Sequence, residues 1–195
     1  MGDYYQNIIF PDVSLDSASN RGDLLLSGLQ EAGIVERESD DNVLGGRGYA
    51  PGPNFNDALE TCHRDGTRAM PSVCGMEFKC GISVWCTAVS GEHVRCRCPQ
   101  CFADQVAGYF EATYLPSLEL WYANNGAHVL NCQACLTSSD VSRWTTWHSE
   151  IANIVPFAVG FLGLTFWNWP KLERSRFEKF GESIGSRVIY QYGKL

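Results

Sequence analysis

The chain has 195 residues, enough for one domain, or one domain with a tail, and its apolar (45%) and aromatic (12%) content supports a packed core, which excludes wholesale disorder. A net charge of −7 argues against a general nucleic-acid binder, because phosphate neutralisation needs clustered Lys and Arg; a protein partner is expected. Nine cysteines, an odd number, suit a disulfide framework poorly, and Met1-Gly2-Asp3-Tyr4-Tyr5 lacks the basic start and apolar core of a secretory signal. The expectation is a reducing compartment in which thiols stay free or hold metal.

Residues 1–53 contain no cysteine and carry Asp12, Asp16, Asp23, Glu31, Glu36, Glu38, Asp40 and Asp41, followed by a Gly/Pro-rich stretch from Leu44 to Pro53. They read as an acidic, partly disordered arm and linker, with one short helix over Leu24–Ala32 that stops at Gly33. The remainder, 54–195, reads as a cysteine-rich globular domain of α+β class: a small zinc-stabilised single domain with short strands and a few helices.

Within that domain, Asn54 or Asn56 caps a short helix, and Met76–Val89 mixes β-branched, aromatic and small residues as strands do. His93–Cys101 is a turn-rich knuckle. Val106, Phe110 and Tyr114 at helical spacing predict a helix over 102–123 that Pro116 ends or kinks. Asn124-Asn125-Gly126 is a turn, and Asp140–Asn153 is read as a further helix with Trp144, Trp147 and Ile151 on one face. The apolar peak, Ile151–Trp169, has the Trp residues and following basic residues of a membrane-interface belt. Asn153, Pro156, Gly160 and Gly163 interrupt it, so a buried strand–turn–strand or core helix is favoured over a span.

The chemistry-bearing pattern is a pair of C-x2-C knuckles, Cys98-Pro99-Gln100-Cys101 and Cys132-Gln133-Ala134-Cys135. Each tight turn directs two sulfurs inward and lets backbone N–H groups stabilise thiolates. Two knuckles together supply the four ligands of a tetrahedral zinc ion. Cys96 extends the first knuckle to C-x-C-x2-C and offers one thiol too many. Either Cys96 replaces Cys98, or a second zinc binds with help from Cys62, Cys74, Cys80, Cys86, His63 or His93. The expected metal ligands are therefore drawn from Cys96, Cys98, Cys101, Cys132 and Cys135. No H-E-x2-H, deaminase H-x-E with P-C-x2-C, G-x-S-x-G, P-loop or G-x-G-x-x-G occurs. No enzymatic activity is expected; a reactive cysteine would be the route to one.

The segment Cys96–Cys101, followed by Gln105-Val106-Ala107-Gly108-Tyr109-Phe110, resembles the central cysteine motif of the adenoviral early-region-four thirty-four-kilodalton proteins. Ile154-Val155-Pro156-Phe157-Ala158-Val159-Gly160-Phe161 is similar to an apolar stretch of the same family, and the likeness spans about residues 86–165. The resemblance implies a viral early regulatory adaptor with structural zinc, acting in the host nucleus and cytoplasm. Its partners would be host proteins, including cullin-type ubiquitin ligase components. The family's elongin-binding box has only a partial counterpart in Ser117-Leu118-Glu119-Leu120. Cys96–Cys101 also resembles one cluster of polyomavirus small t antigen, which implies phosphatase binding. The remaining alternative is a membrane-associated protein anchored through 151–169.

Overall fold

The computed structural model describes residues 3–43, 46–63, 74–87, 89 and 91–194. The chain begins with strand β1 (Tyr4–Ile9), helix α1 (Leu15–Glu31), and strands β2 (Val35–Val43) and β3 (Gly46–Pro51). Two 3-10 turns (Phe55–Ala58 and Thr61–His63) precede strand β4 (Gly75–Cys86). A third 3-10 turn, Gly91–His93, leads into strand β5 (Val94–Arg97). Next come a π-helical turn (Phe110–Tyr114), helix α2 (Leu115–Ala123), and strands β6 (Val129–Asn131), β7 (Ser138–Asp140) and β8 (Thr145–His148). Strand β9 (Phe157–Trp167), helix α3 (Arg174–Ser183) and strand β10 (Ile189–Lys194) complete the fold.

Six strands form one antiparallel sheet in the order β10-β1-β9-β4-β3-β2, and two small ribbons, β5-β8 and β6-β7, stand apart from it. The fold is thus a small α+β domain, as the sequence leads one to expect. The boundary expected after residue 53 does not divide it. Tyr4–Ile9 is hydrogen-bonded between β9 and β10, and Ile8, Ile9 and Phe10 are fully buried. Those three apolar residues outweigh the acidic composition around them, since burying each is worth about 1.5–3 kcal/mol.

Helix α1 starts earlier than its apolar spacing suggests because Ser14 caps it, the Ser14 N–H donating to Ser17 Oγ at 3.2 Å. It ends where expected. Gly33 takes φ +69°, and the Gly33 and Ile34 N–H groups return to Gln30 and Leu29 carbonyls at 2.9 Å, a Schellman closure. Ala18, Gly22, Leu25 and Leu29 face the sheet. Gly22 is needed there: a Cβ would meet Phe78 Cζ at 2.7 Å.

Strand β9 separates two cores. On one side Leu162, Leu164 and Phe166 pack with Leu25, Leu29, Met76 and Phe177. On the other, Val159, with Phe157 and Phe161 packed against it, meets Tyr109, Phe110, Tyr114, Leu118, Trp121 and Trp144, all supplied by the segment between β4 and β9. The apolar peak therefore folds as a central strand rather than a helix, and no helix among the described residues is long and apolar enough to cross a membrane. Trp85, Trp121, Trp144 and Trp169 are buried, so most tryptophans fill core.

Two expected helices differ in the structure. The first half of 102–123 is not helical, because Phe102 and Gly108 both take left-handed backbone angles (φ 60° and 84°). Helix begins only at the π-helical turn, and Pro116 stands where that turn passes directly into α2. Asp140–Asn153 is instead a 3-10 turn followed by β8, whose alternating burial at Thr145–His148 matches a strand paired with β5.

Candidate metal centre

The segment between β4 and β9 holds two loops built to one plan. In each, the first cysteine's N–H bonds the carbonyl five residues on: Cys98 to Ala103 at 3.1 Å, Cys132 to Thr137 at 3.0 Å. Its carbonyl accepts from the residue four on, Phe102 at 3.1 Å and Leu136 at 3.0 Å. Its sulfur accepts from the N–H two on, Gln100 and Ala134, both at 3.3 Å. The fifth residue of each loop, Phe102 and Leu136, takes φ 60° with its side chain largely exposed (72% and 82%). Paired backbone clamps the loop ends: Arg97 bridges Asp104, and Asn131 pairs Ser138.

This repeated geometry brings Cys98, Cys101, Cys132 and Cys135 together, with all four sulfurs within 4.8 Å of one another. Cys98 Sγ lies 3.9 Å from Cys135 Sγ, and Cys101 Sγ 3.7 Å from Cys132 Sγ. A tetrahedral ion with sulfur at about 2.3 Å places sulfurs about 3.8 Å apart, so the group is spaced for one cation. Cys98 and Cys132 are fully buried, Cys135 is half-buried and Cys101 is exposed.

Electrostatics point the same way. Four thiols this close cannot all ionise unaided. Burial pushes the Cys132 thiol up, but N–H groups of Cys135 and Ala134, with hydrogen bonds to Cys135 and Cys98, bring it down to about 6. Thr137, whose Oγ1 lies 2.9 Å from the sulfur, leads the groups that lower Cys135. Cys101 goes the other way: the Ala103 N–H lowers it, but partial loss of solvent at the sulfur and the three neighbouring thiols push it up to about 12. A divalent cation at the centre removes this conflict.

The first loop is braced by charge. Arg97 donates twice to Asp104, at 2.8 and 3.0 Å, and lies over the Trp147 ring; Trp147 Nε1 donates to the same carboxylate at 3.0 Å. Thus β8 holds the first knuckle in place.

The remaining sequence candidates are elsewhere. Cys96 stands outside the group. It is buried in β5 opposite Thr146, inside the second core, and burial pushes its thiol up to about 12. Two residues of extended chain, about 6.6 Å, separate it from Cys98, before the loop turns its sulfurs inward. Cys98 is therefore the cysteine of that pair gathered with the others. Cys74 is buried in the first core, its thiol pushed up to about 12 by burial, and Cys62, Cys80 and Cys86 are exposed. His93 sits between Glu92 (3.1 Å) and Glu150 (3.2 Å), beside the His148 ring. The buried His148 accepts from the Glu150 and Ile151 N–H groups through Nδ1. The side chain of His63 lies outside the described residues. Among the described residues no second group of three or more ligating side chains forms.

Thr137 and the left-handed residues Phe102 and Leu136 had no signal in the sequence, since glycine is the usual mark of such a position. Compared with protein-family models, curated proteins and solved structures, the chain matches none.

Proposed function

We propose that the four-cysteine group is a structural zinc site and that the protein is a non-enzymatic, zinc-organised interaction protein. The observation that carries the reading is the repeated loop geometry: two knuckles of one design, each with an N–H donor on its first sulfur, bringing four sulfurs within 4.8 Å of one another. Four thiolates fill the coordination sphere of zinc and leave no open position for substrate or water, which is the pattern of structural sites. Soft sulfur ligands in a tetrahedron favour zinc over harder divalent ions.

The interaction part of the reading is supported by the exposed Phe102, Val106 and Leu136 around the knuckles, apolar side chains available to another protein. The viral-adaptor resemblance makes cullin-type ligase components the first partners to test, by binding to purified elongin–cullin complexes.

Elemental analysis of protein purified under reducing conditions without added metal should return one zinc per chain. Cys98→Ser with Cys132→Ser should lose it. Full metal content in that double variant would overturn the assignment.

A further inference from the structure

One polar side chain outside the four ligands joins the two knuckles. Gln105, just beyond the first knuckle, is almost fully buried (5% exposed). Its backbone N–H donates to the Cys96 carbonyl at 2.8 Å, which fixes it against β5. Its side-chain Oε1 accepts from the Gln133 N–H at 3.0 Å, inside the second knuckle. Its Nε2 donates to the Ala103 carbonyl at 3.2 Å and approaches Cys132 Sγ at 3.4 Å. Both ends of the amide are thus engaged, which fixes its orientation: only nitrogen toward sulfur and oxygen toward Gln133 gives every contact a donor and an acceptor.

We propose that Gln105 is a positioning residue of the metal centre, locking the second knuckle to the first and donating a hydrogen bond to the Cys132 thiolate. This rests on the zinc-site reading and deepens it. Cys132 then receives the Gln105 amide in addition to the Ala134 and Cys135 N–H groups. A thiolate that accepts hydrogen bonds gives less charge to the metal, and four thiolates on one dication carry a net −2 that such donors offset. The same amide holds the Gln133 N–H, so it sets the register of the second knuckle against the first.

The test is cobalt binding to the full chain, read as affinity by chelator competition and as the energy of the sulfur-to-cobalt charge-transfer band. Gln105→Leu keeps the volume but loses all three side-chain hydrogen bonds. It should weaken metal binding roughly ten- to hundredfold. It should also move the band to longer wavelength, because a thiolate without its donor is easier to oxidise. Gln105→Glu keeps an acceptor for Gln133 but faces the thiolate with negative charge, and should shift both readouts at least as far. Tyr109→Phe is the structural control: it removes a bond to the Asn131 carbonyl (2.9 Å) next to Cys132 without touching sulfur. It should lower the melting temperature and leave the band in place. Affinity lost in Gln105→Leu with an unmoved band would overturn the thiolate contact. Affinity within twofold of the wild type with an unmoved band would overturn the whole role while leaving the metal centre intact. A wild-type chain that binds no cobalt would instead sink the metal reading itself.

Discussion

Removing metal should unfold one of the two cores and spare the other. Cys101 and Cys132 are 31 residues apart in sequence, so a shared ion closes a loop that contains Tyr109, Phe110, Tyr114, Leu118, Trp121 and Leu130. Treated as a cross-link of that loop length, the constraint is worth roughly 4 kcal/mol by loop-closure entropy. That is a large share of the 5–15 kcal/mol typical of a whole domain. The other core draws on β1, β4, β9, α1 and α3 and uses no residue of this loop. The assay is amide hydrogen exchange, by mass spectrometry, with and without a thiol-compatible chelator. Protection over 94–148 should fall to that of a mobile segment. Peptides covering Ile8–Phe10 and Leu162–Phe166, fully buried on the far side, should keep theirs. Unchanged protection across 94–148 in metal-free protein would refute the reasoning, as would simultaneous loss in both cores.

Three further outcomes follow from single contacts. Phe102→Gly and Leu136→Gly should each be close to neutral. Relief of a left-handed backbone, about 1 kcal/mol, offsets the added freedom of the unfolded chain, and both side chains are mostly exposed; a loss above ~1.5 kcal/mol by urea titration would show that these side chains pack in solution. Gly163→Ala should destabilise by about 1–3 kcal/mol, because the new methyl would lie 2.4 Å from the buried Trp85 ring and 3.1 Å from the Ile8 carbonyl; an unchanged melting temperature would contradict the close approach. The Arg97 hydrogen bond, against a smaller opposing effect of burial and with help from Trp147, holds the Asp104 carboxyl below the usual carboxylate range. Its contribution is therefore present at neutral pH and disappears as pH falls from about 4 through the lowered value. With the pair well exposed, Asp104→Asn should cost well under ~1 kcal/mol at pH 7 and the gap should close in acid; a gap that widens below pH 4 would reverse the sign.

Local signals were legible in the sequence and long-range ones were not. The two knuckles, the Gly33 stop of α1 and the Asn124-Asn125-Gly126 turn all depend on residues within one loop, and they stand where the spacing put them; Asn125 and Gly126 take φ 54° and 82°. The choice between Cys96 and Cys98 was not local. It depends on where β5 ends, which its pairing with β8 decides some fifty residues later. The N-terminal strand is a stronger case. Six residues between β9 and β10 are placed by partners more than 150 positions away, and no window around Tyr4–Ile9 contains that information. Apolar spacing also misread 102–109, where Val106 sits at helical distance from Phe110 yet is 63% exposed on a loop that returns from the first knuckle.

The division of the fold explains why a cluster of thiolates belongs where it does. Residues 87–156 form an insertion between two adjacent strands, β4 and β9, that are themselves paired along their length. An insertion of about seventy residues rarely buries enough apolar surface to supply more than about 3–5 kcal/mol on its own. This one has two three- or four-residue ribbons, one nine-residue helix and a π-helical turn, so little of it is long regular secondary structure. Two devices make up the difference. Phe157, Val159 and Phe161 lend it one face of the central strand. The four sulfurs fix its two ribbons to one another, with Cys98 and Cys132 in the same core as Val159. A deletion tests the division of labour directly: replacing 87–156 by a short turn should leave a sheet-and-two-helix protein that folds without metal but exposes Phe157, Val159 and Phe161. It should therefore be cooperative in urea but prone to self-association, whereas a fully unfolded product would mean that the insertion stabilises the sheet rather than the reverse.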